Sequence, residues 1–307
     1  MKFSIILTVY NRGHIVDRAV KSVLGQTFQD WELIIVDDGS VDQTPDALNN
    51  FRNGRIKIFR YTENKGASFA RNFGLSQAKG CYIIFLDSDD RFVPGALDTI
   101  DEVLKSTNEF YNDYLFIAAD ELTRKPYNFR MPDKDGEIDF KKVFRGELDG
   151  DYCHVTKRHI YSHIKFDEEF KGYERSCWHR IARDFGPGYF ASKAVVMVNR
   201  ASPDSITRNL MRADYRDKWV NILAQSRKYT GYFQNNFHDI YPEGYYNELK
   251  TQLKALLIIG RPTEARGIAK RMIRETPGPG KWFWFLFSIL PPALILKAYL
   301  LIKFRKR

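Results

Sequence analysis

The chain is poor in cysteine: Cys81, Cys153 and Cys177 are widely spaced among 307 residues. An odd, scattered set gives neither a disulfide framework nor the paired spacing of a zinc knuckle, and it suits a reducing cytosol. No Gly-x-Gly-x-x-Gly follows the first apolar segment, which argues against a dinucleotide-dependent dehydrogenase. Long internal repeats and low-complexity tracts are missing too. The opening stretch, Met1 to Thr8, is apolar over too few residues for a secretory leader and turns at once into Tyr10-Asn11-Arg12. The expectation is therefore a cytoplasmic chain. An acidic balance is also absent: 48 Lys and Arg against 38 Asp and Glu leave a net charge of +10. That charge favours an anionic partner, whether nucleic acid, a membrane surface or a phosphorylated substrate.

Hydrophobic residues make up 44% of the chain and aromatics 15%, enough to exclude general disorder. Apolar strand patterns at 3–9, Leu33 to Val36, Ile56 to about Tyr61 and Tyr82 to Leu86 alternate with helical patterns at 15–24 and Ala67 to Ala78. Thr44 followed by Pro45 reads as an N-cap with proline at the first helical position. This alternation predicts an α/β fold, with a largely parallel sheet covered by helices on both faces. Short strands at Tyr114 to Ala118 and Ala194 to Val198 and a helix at Glu174 to Phe185 are expected beyond residue 110. Residues 213–275 read as helices, with a hairpin about Gly260-Arg261-Pro262.

Ligands of open α/β sheets bind beyond the carboxyl ends of the strands. Three polar clusters fall at such ends: Thr8 to Asn11, Asp37-Asp38 and Asp87-Ser88-Asp89-Asp90. Taken alone, Asp37-Asp38 is equally an acidic turn capping a helix. The Asp87 to Asp90 group places three carboxylates in four residues, a mutual repulsion that a divalent cation would relieve. A nucleic-acid binder would explain the net charge but not this acidic rim, so no nucleic-acid partner is expected.

Thr8-Val9-Tyr10-Asn11-Arg12, Val36-Asp37-Asp38-Gly39-Ser40, Asn64 to Asn72 and Phe85 to Asp90, in this order and spacing, resemble the signature of glycosyltransferase family 2 with its GT-A fold. The likeness is tight over residues 1–105 and looser to about 208. It implies an inverting transferase that uses a nucleotide-diphospho-sugar, most simply a UDP-sugar, with Mg²⁺ or Mn²⁺ as cofactor. Thr8 and Tyr10 would line the base pocket and Asp38 would bind the uracil. Arg71 would reach the base or phosphates, Asp87 the ribose or sugar side, and Asp89 would ligate the metal. Arg200 and Ser205 match a loop that closes over the diphosphate in relatives. Family members often carry Glu-Asp at the start of a helix after a Phe-Asp-Glu stretch, with the aspartate as base. Here Phe166-Asp167-Glu168 is followed by Glu174-Arg175, and Glu174 becomes the candidate base. His179, one turn on, could orient it. The competing reading, supported by Arg175, is a catalytically inactive sugar-nucleotide-binding or scaffold protein.

The resemblance implies a donor-binding half at 1–110 and an acceptor-binding and catalytic half at 111–210; the hydrophobic pattern adds a helical region at 211–280 and a membrane-associating tail at 281–307. Residues 282–302 carry one charge, Lys297, over 21 positions, interrupted by Pro291-Pro292 and followed by Lys303-Phe304-Arg305-Lys306-Arg307. Interfacial aromatics beside a basic tail fit a peripheral or monotopic anchor on the cytoplasmic face of an anionic membrane. An enzyme held there would act on a glycan acceptor that is itself lipid-linked.

Overall fold

The computed structural model describes residues 1–51, 53–126, 128–170, 174–199 and 215–275, with the isolated positions 289 and 291. The chain divides into two compact units, Met1–Pro203 and Asp204–Arg307.

The first unit is built on a nine-stranded sheet. Strands β1 (Phe3–Val9), β2 (Trp31–Asp37), β3 (Ile56–Arg60) and β4 (Tyr82–Asp87) alternate with helices α1 (Val16–Leu24), α2 (Thr44–Asn49) and α3 (Ala67–Gln77). Then come β5 (Arg91–Phe92), α4 (Ala96–Ser106), β6 (Asp113–Asp120), β7 (Asn128–Arg130), β8 (Gly136–Ile138), α5 (Phe140–Phe144), β9 (Asp149–Gly150), β10 (Tyr152–Lys157), α6 (Arg175–Phe185) and β11 (Gly188–Val198). The main sheet runs β3-β2-β1-β4-β10-β6-β11-β5, with β8 on β11.

β1 through β4 are mutually parallel, in a register that sets Val9 opposite Asp37 and Thr8 opposite Asp87. The three polar clusters after β1, β2 and β4 therefore share one rim, as expected. The largely parallel sheet expected for the β1–β4 half is found; beyond it the sheet is mixed, because β10 inserts antiparallel to both β4 and β6 while β11 runs parallel to β6. β10 went unpredicted since Tyr152-Cys153-His154-Val155-Thr156-Lys157 has no clean apolar alternation. The local reading of Thr44 is corrected as well. It lies inside α2, and its buried hydroxyl accepts the Arg12 N–H at 2.8 Å and donates to Asp42. That contact ties the loop after β1 to the start of α2.

Strand alternation builds a core on each face. Phe3, Ile5 and Leu7, Leu33 and Ile35, and Tyr82 and Ile84 pack with Ala19, Val20 and Val23 of α1 and Leu97, Ile100 and Leu104 of α4. The intervening residues Ile6, Ile34, Val36 and Ile83 pack with Ala70 of α3 and Cys177 and Ile181 of α6. α3 and α6 thus lie on the same face, which brings their side chains together at the rim.

The second unit contains α7 (Tyr215–Ile240), α8 (Pro242–Ile258) and α9 (Pro262–Glu275). α8 and α9 form the predicted hairpin, with the positive φ of 79° at Gly260 turning the chain between them. Among the described residues no helix is long and apolar enough to cross a membrane. The sequence-predicted tail at 281–307 lies outside the described residues, apart from Ile289 and Pro291.

Candidate active site

The strand-end loops are locked to each other by short polar contacts. Asn11, with φ of 51°, accepts the Val41 N–H on its amide oxygen, and its own N–H donates to Ser40 Oγ, both at 2.9 Å. The Asp38 carboxylate accepts the N–H groups of Lys65 at 2.8 Å and Gly66 at 2.7 Å, one on each oxygen. Burial pushes the Asp38 carboxyl above its usual range, against the pull of these two N–H groups. Asp38 therefore organises the loop leading into α3. Beside it, Thr8 is partly buried and Tyr10 is 44% exposed, so the Tyr10 ring is open to a ligand at the rim.

Arg71 is the centre of the site. It projects from α3, is 7% exposed, and joins two carboxylates: one guanidinium nitrogen meets Asp87 at 3.0 Å and the other pairs with Glu174. Burial alone would favour loss of the Arg71 proton, but Glu174 and Asp87 outweigh it and hold the cation charged. Glu174 stands at the N-cap position of α6 yet makes no capping bond with its side chain. Its carboxylate is directed to Arg71 instead.

Two neighbouring residues explain how a side chain 103 positions further on reaches Arg71. Asn72 donates to the Phe166 carbonyl and accepts the Phe166 N–H, each at 3.0 Å, latching the segment before α6 onto α3. Asp167, largely buried, accepts from Ser176 Oγ at 2.8 Å and fixes the first turn of α6. Sequence reasoning assigned neither residue a role, although Asn72 adjoins Arg71 in the same motif.

The carboxylates after β4 diverge. Asp87 is 57% exposed, Asp89 lies 3.9 Å from the Arg12 guanidinium, and Asp90 accepts the Asn199 N–H at 3.0 Å. Among the described residues no three His, Cys, Asp or Glu groups converge on one metal position. A Mg²⁺ that bridges to substrate phosphates needs only one or two carboxylates and keeps several waters. The partly exposed Asp89 and the exposed Asp87 satisfy that lesser requirement. Arg200 and Ser205 lie outside the described residues.

Next to Arg71, Asp87 and Glu174 opens a cavity of about 460 Å³, whose wall continues over Tyr152, His154 and Trp178. Arg175 and His179 also line it. His179 packs edge-on to Phe144 with ring centres 5.9 Å apart; burial, with help from the Arg175 charge, pushes its pKa down to about 3. It is neutral at physiological pH and is no phosphate-binding cation.

Comparison with known proteins points to glycosyltransferases. Residues 4–147 match the model of the family described as Glycosyl transferase family 2. The chain is 30% identical over 221 residues to the GalNAc(5)-diNAcBac-PP-undecaprenol beta-1,3-glucosyltransferase of Campylobacter jejuni, covering 70% of each protein. It is 31% identical over 218 residues to the UDP-Glc:alpha-D-GlcNAc-diphosphoundecaprenol beta-1,3-glucosyltransferase WfgD of Escherichia coli, covering 70% of this chain and 83% of that one. Among solved structures, S. aureus TarS 1-349 in complex with UDP-GlcNAc superposes with a TM-score of 0.63 at 19% identity, over 94% of this chain and 90% of that one. With the GT-A fold and the family's four motifs gathered at one rim, the chain belongs to glycosyl transferase family 2.

Proposed function

We propose that this glycosyltransferase moves a sugar from a UDP-sugar to a hydroxyl of a lipid-linked glycan, with inversion, at the cytoplasmic face of a membrane during surface-polysaccharide assembly. The observation that carries this reading is the Asp87–Arg71–Glu174 chain of charges beside the cavity. The two relatives named above support the acceptor class, since both are named for transfer of glucose to glycans on undecaprenol diphosphate.

In this mechanism Thr8, Tyr10 and Asp38 hold the nucleotide, and Asp87 holds the ribose or sugar side. Asp89 holds Mg²⁺ or Mn²⁺, which when bound neutralises the diphosphate. Glu174 takes the proton of the acceptor hydroxyl as its oxygen attacks the anomeric carbon from the face opposite the leaving UDP, and in-line attack inverts that carbon. Protonation of Glu174 weakens its hold on Arg71 just as negative charge develops on the departing diphosphate. The guanidinium is then available to that charge.

One feature favours a second reading, a protein that binds the sugar nucleotide without turnover: Glu174 is followed by Arg175, where the family's pattern often has an aspartate. Calorimetry with UDP in Mn²⁺, in EDTA and with Asp89→Ala tests the donor half of the proposal. Metal-dependent binding weakened at least about tenfold in the variant, or about 1.4 kcal/mol, is expected. Absence of UDP binding under every condition refutes it. Turnover that survives in wild type and disappears in Glu174→Gln rejects the inactive reading.

A further inference from the structure

One polar group in the cavity wall has no part in the mechanism above. His154 lies on β10 and lines the cavity together with Glu174, Asp87 and Trp178. Its Nδ1 is 2.9 Å from Oδ2 of Asp113, which sits on the adjacent strand β6. The other oxygen of Asp113 accepts the Thr156 hydroxyl at 2.7 Å. Asp113 is buried, and a buried carboxylate is retained where its oxygens are satisfied. The Trp178 ring stacks flat on the imidazole, with centroids 3.9 Å apart and planes 6° from parallel.

Asp113 and Trp178 together leave the imidazole little freedom. Asp113 decides which nitrogen carries the proton, because a neutral ring that donates Nδ1–H to a carboxylate keeps Nε2 as an acceptor. Trp178 sets the plane of the ring. Nε2 makes no other hydrogen bond among the described residues, and it is not one of the buried polar atoms left without a partner. It is therefore open at the cavity. A histidine serving only to hold α6 on the sheet would need the Trp178 stack but not this oriented, open nitrogen.

The strand order indicates what would meet it. The nucleotide end of the rim is formed by β1 and β2, whereas β10 lies beyond β4 in the sheet. Asp87, at the end of β4, stands at the division between them. Around His154 the wall includes Leu115, Ala118, Val143 and Leu148, apolar surface suited to the C–H faces of a pyranose.

We propose that His154 is an acceptor-binding residue: Nε2 accepts a hydrogen bond from a hydroxyl of the acceptor sugar and holds that sugar beside Glu174. The inference rests on reading this cavity as the transfer site for a lipid-linked glycan. Its test uses the full chain, UDP-glucose as donor and α-D-GlcNAc-diphosphoundecaprenol as the probe acceptor, and compares His154→Asn with His154→Gln. The Asn amide replaces Nδ1 and preserves a partner for Asp113 but ends short of the cavity, whereas the Gln amide reaches the place of Nε2. His154→Asn is expected to lower acceptor kcat/KM at least about tenfold, equivalent to about 1.4 kcal/mol, with UDP affinity within about twofold of wild type. His154→Gln is expected to recover a substantial part of that loss. Unchanged acceptor kcat/KM in His154→Asn overturns the inference, as does a parallel loss of UDP affinity, the mark of a packing role. So does a Gln variant no better than the Asn variant. Wild-type protein that binds UDP but transfers nothing to this probe overturns the lipid-linked reading and takes this inference with it.

Discussion

His179 couples the site to pH. Its folded pKa is about 3, against about 6.5 for an unperturbed histidine. Between these values the unfolded chain binds a proton that the folded chain does not. Stability from this group is complete above about pH 6.5 and is lost as pH falls toward the folded value, with a slope of at most about 1.4 kcal/mol per pH unit. Denaturant titrations at pH 7 and pH 5 are expected to show wild type losing more stability than His179→Met over that interval. Equal losses would mean that the ring is hydrated and unperturbed. Individual residues were unevenly legible in the sequence. Arg71, Asp87 and Glu174 were chosen from motif spacing and meet in space. His179, chosen as a possible orienter of the base, is a half-buried neutral ring packed against Phe144. The mutual contact of Arg71 and Glu174 could not be read, because it depends on Asn72 and Asp167 fixing a segment almost a hundred residues further along the chain. Asp113 and His154 carried no local signal, since their pairing is made only by the antiparallel registration of β10 on β6.

At the scale of elements, the β1–β4 half was legible because β1, β2 and β4 are near-continuous apolar runs buried on both faces and helices connect the strands. The other half was legible only in part: the strands expected at Tyr114 to Ala118 and Ala194 to Val198 and the helix at Glu174 to Phe185 are found as β6, β11 and α6, whereas short strands such as β5, β8 and β9 are specified by their sheet neighbours rather than by their own two or three residues. Within the legible half, the turn after β2 makes a sharp demand on its glycine. Gly39 has φ of 77°, and a Cβ there would stand 2.6 Å from the carbonyl carbon of Glu63. That neighbour is backbone, in the segment leading to the Lys65 and Gly66 N–H groups that Asp38 accepts. Gly39→Ala thus adds left-handed strain and pushes two loops apart. It is expected to cost about 1–3 kcal/mol of stability. UDP affinity should fall more steeply than the loss of folded protein accounts for, as calorimetry on the folded fraction would reveal. A variant with reduced stability but wild-type UDP affinity would place Asp38 outside the nucleotide site.

At the scale of the whole molecule, the charge distribution bears on how the enzyme meets its acceptor. The net charge is +10, and residues 281–307 contribute Lys281, Lys297, Lys303, Arg305, Lys306 and Arg307 with no acidic residue. Each cation near an anionic leaflet adds about 1 kcal/mol of attraction, which salt weakens over a Debye length of about 8 Å at physiological ionic strength. The aromatic run Trp282-Phe283-Trp284-Phe285 would add attraction that salt leaves intact. A surface-bound enzyme should therefore show two separable components. Vesicles containing anionic lipid are expected to bind the full chain more tightly than neutral vesicles, with the difference shrinking as salt is raised. Removal of residues 281–307 should abolish the salt-sensitive and the salt-resistant parts together. UDP affinity should be retained, because Thr8, Asp38, Arg71 and Asp89 all belong to the first compact unit. Flotation of wild type and the truncated protein across a salt series makes the measurement. If the truncated protein floats as well as the full chain, the basic surface elsewhere carries the attraction, and the tail is excluded as the membrane-binding element.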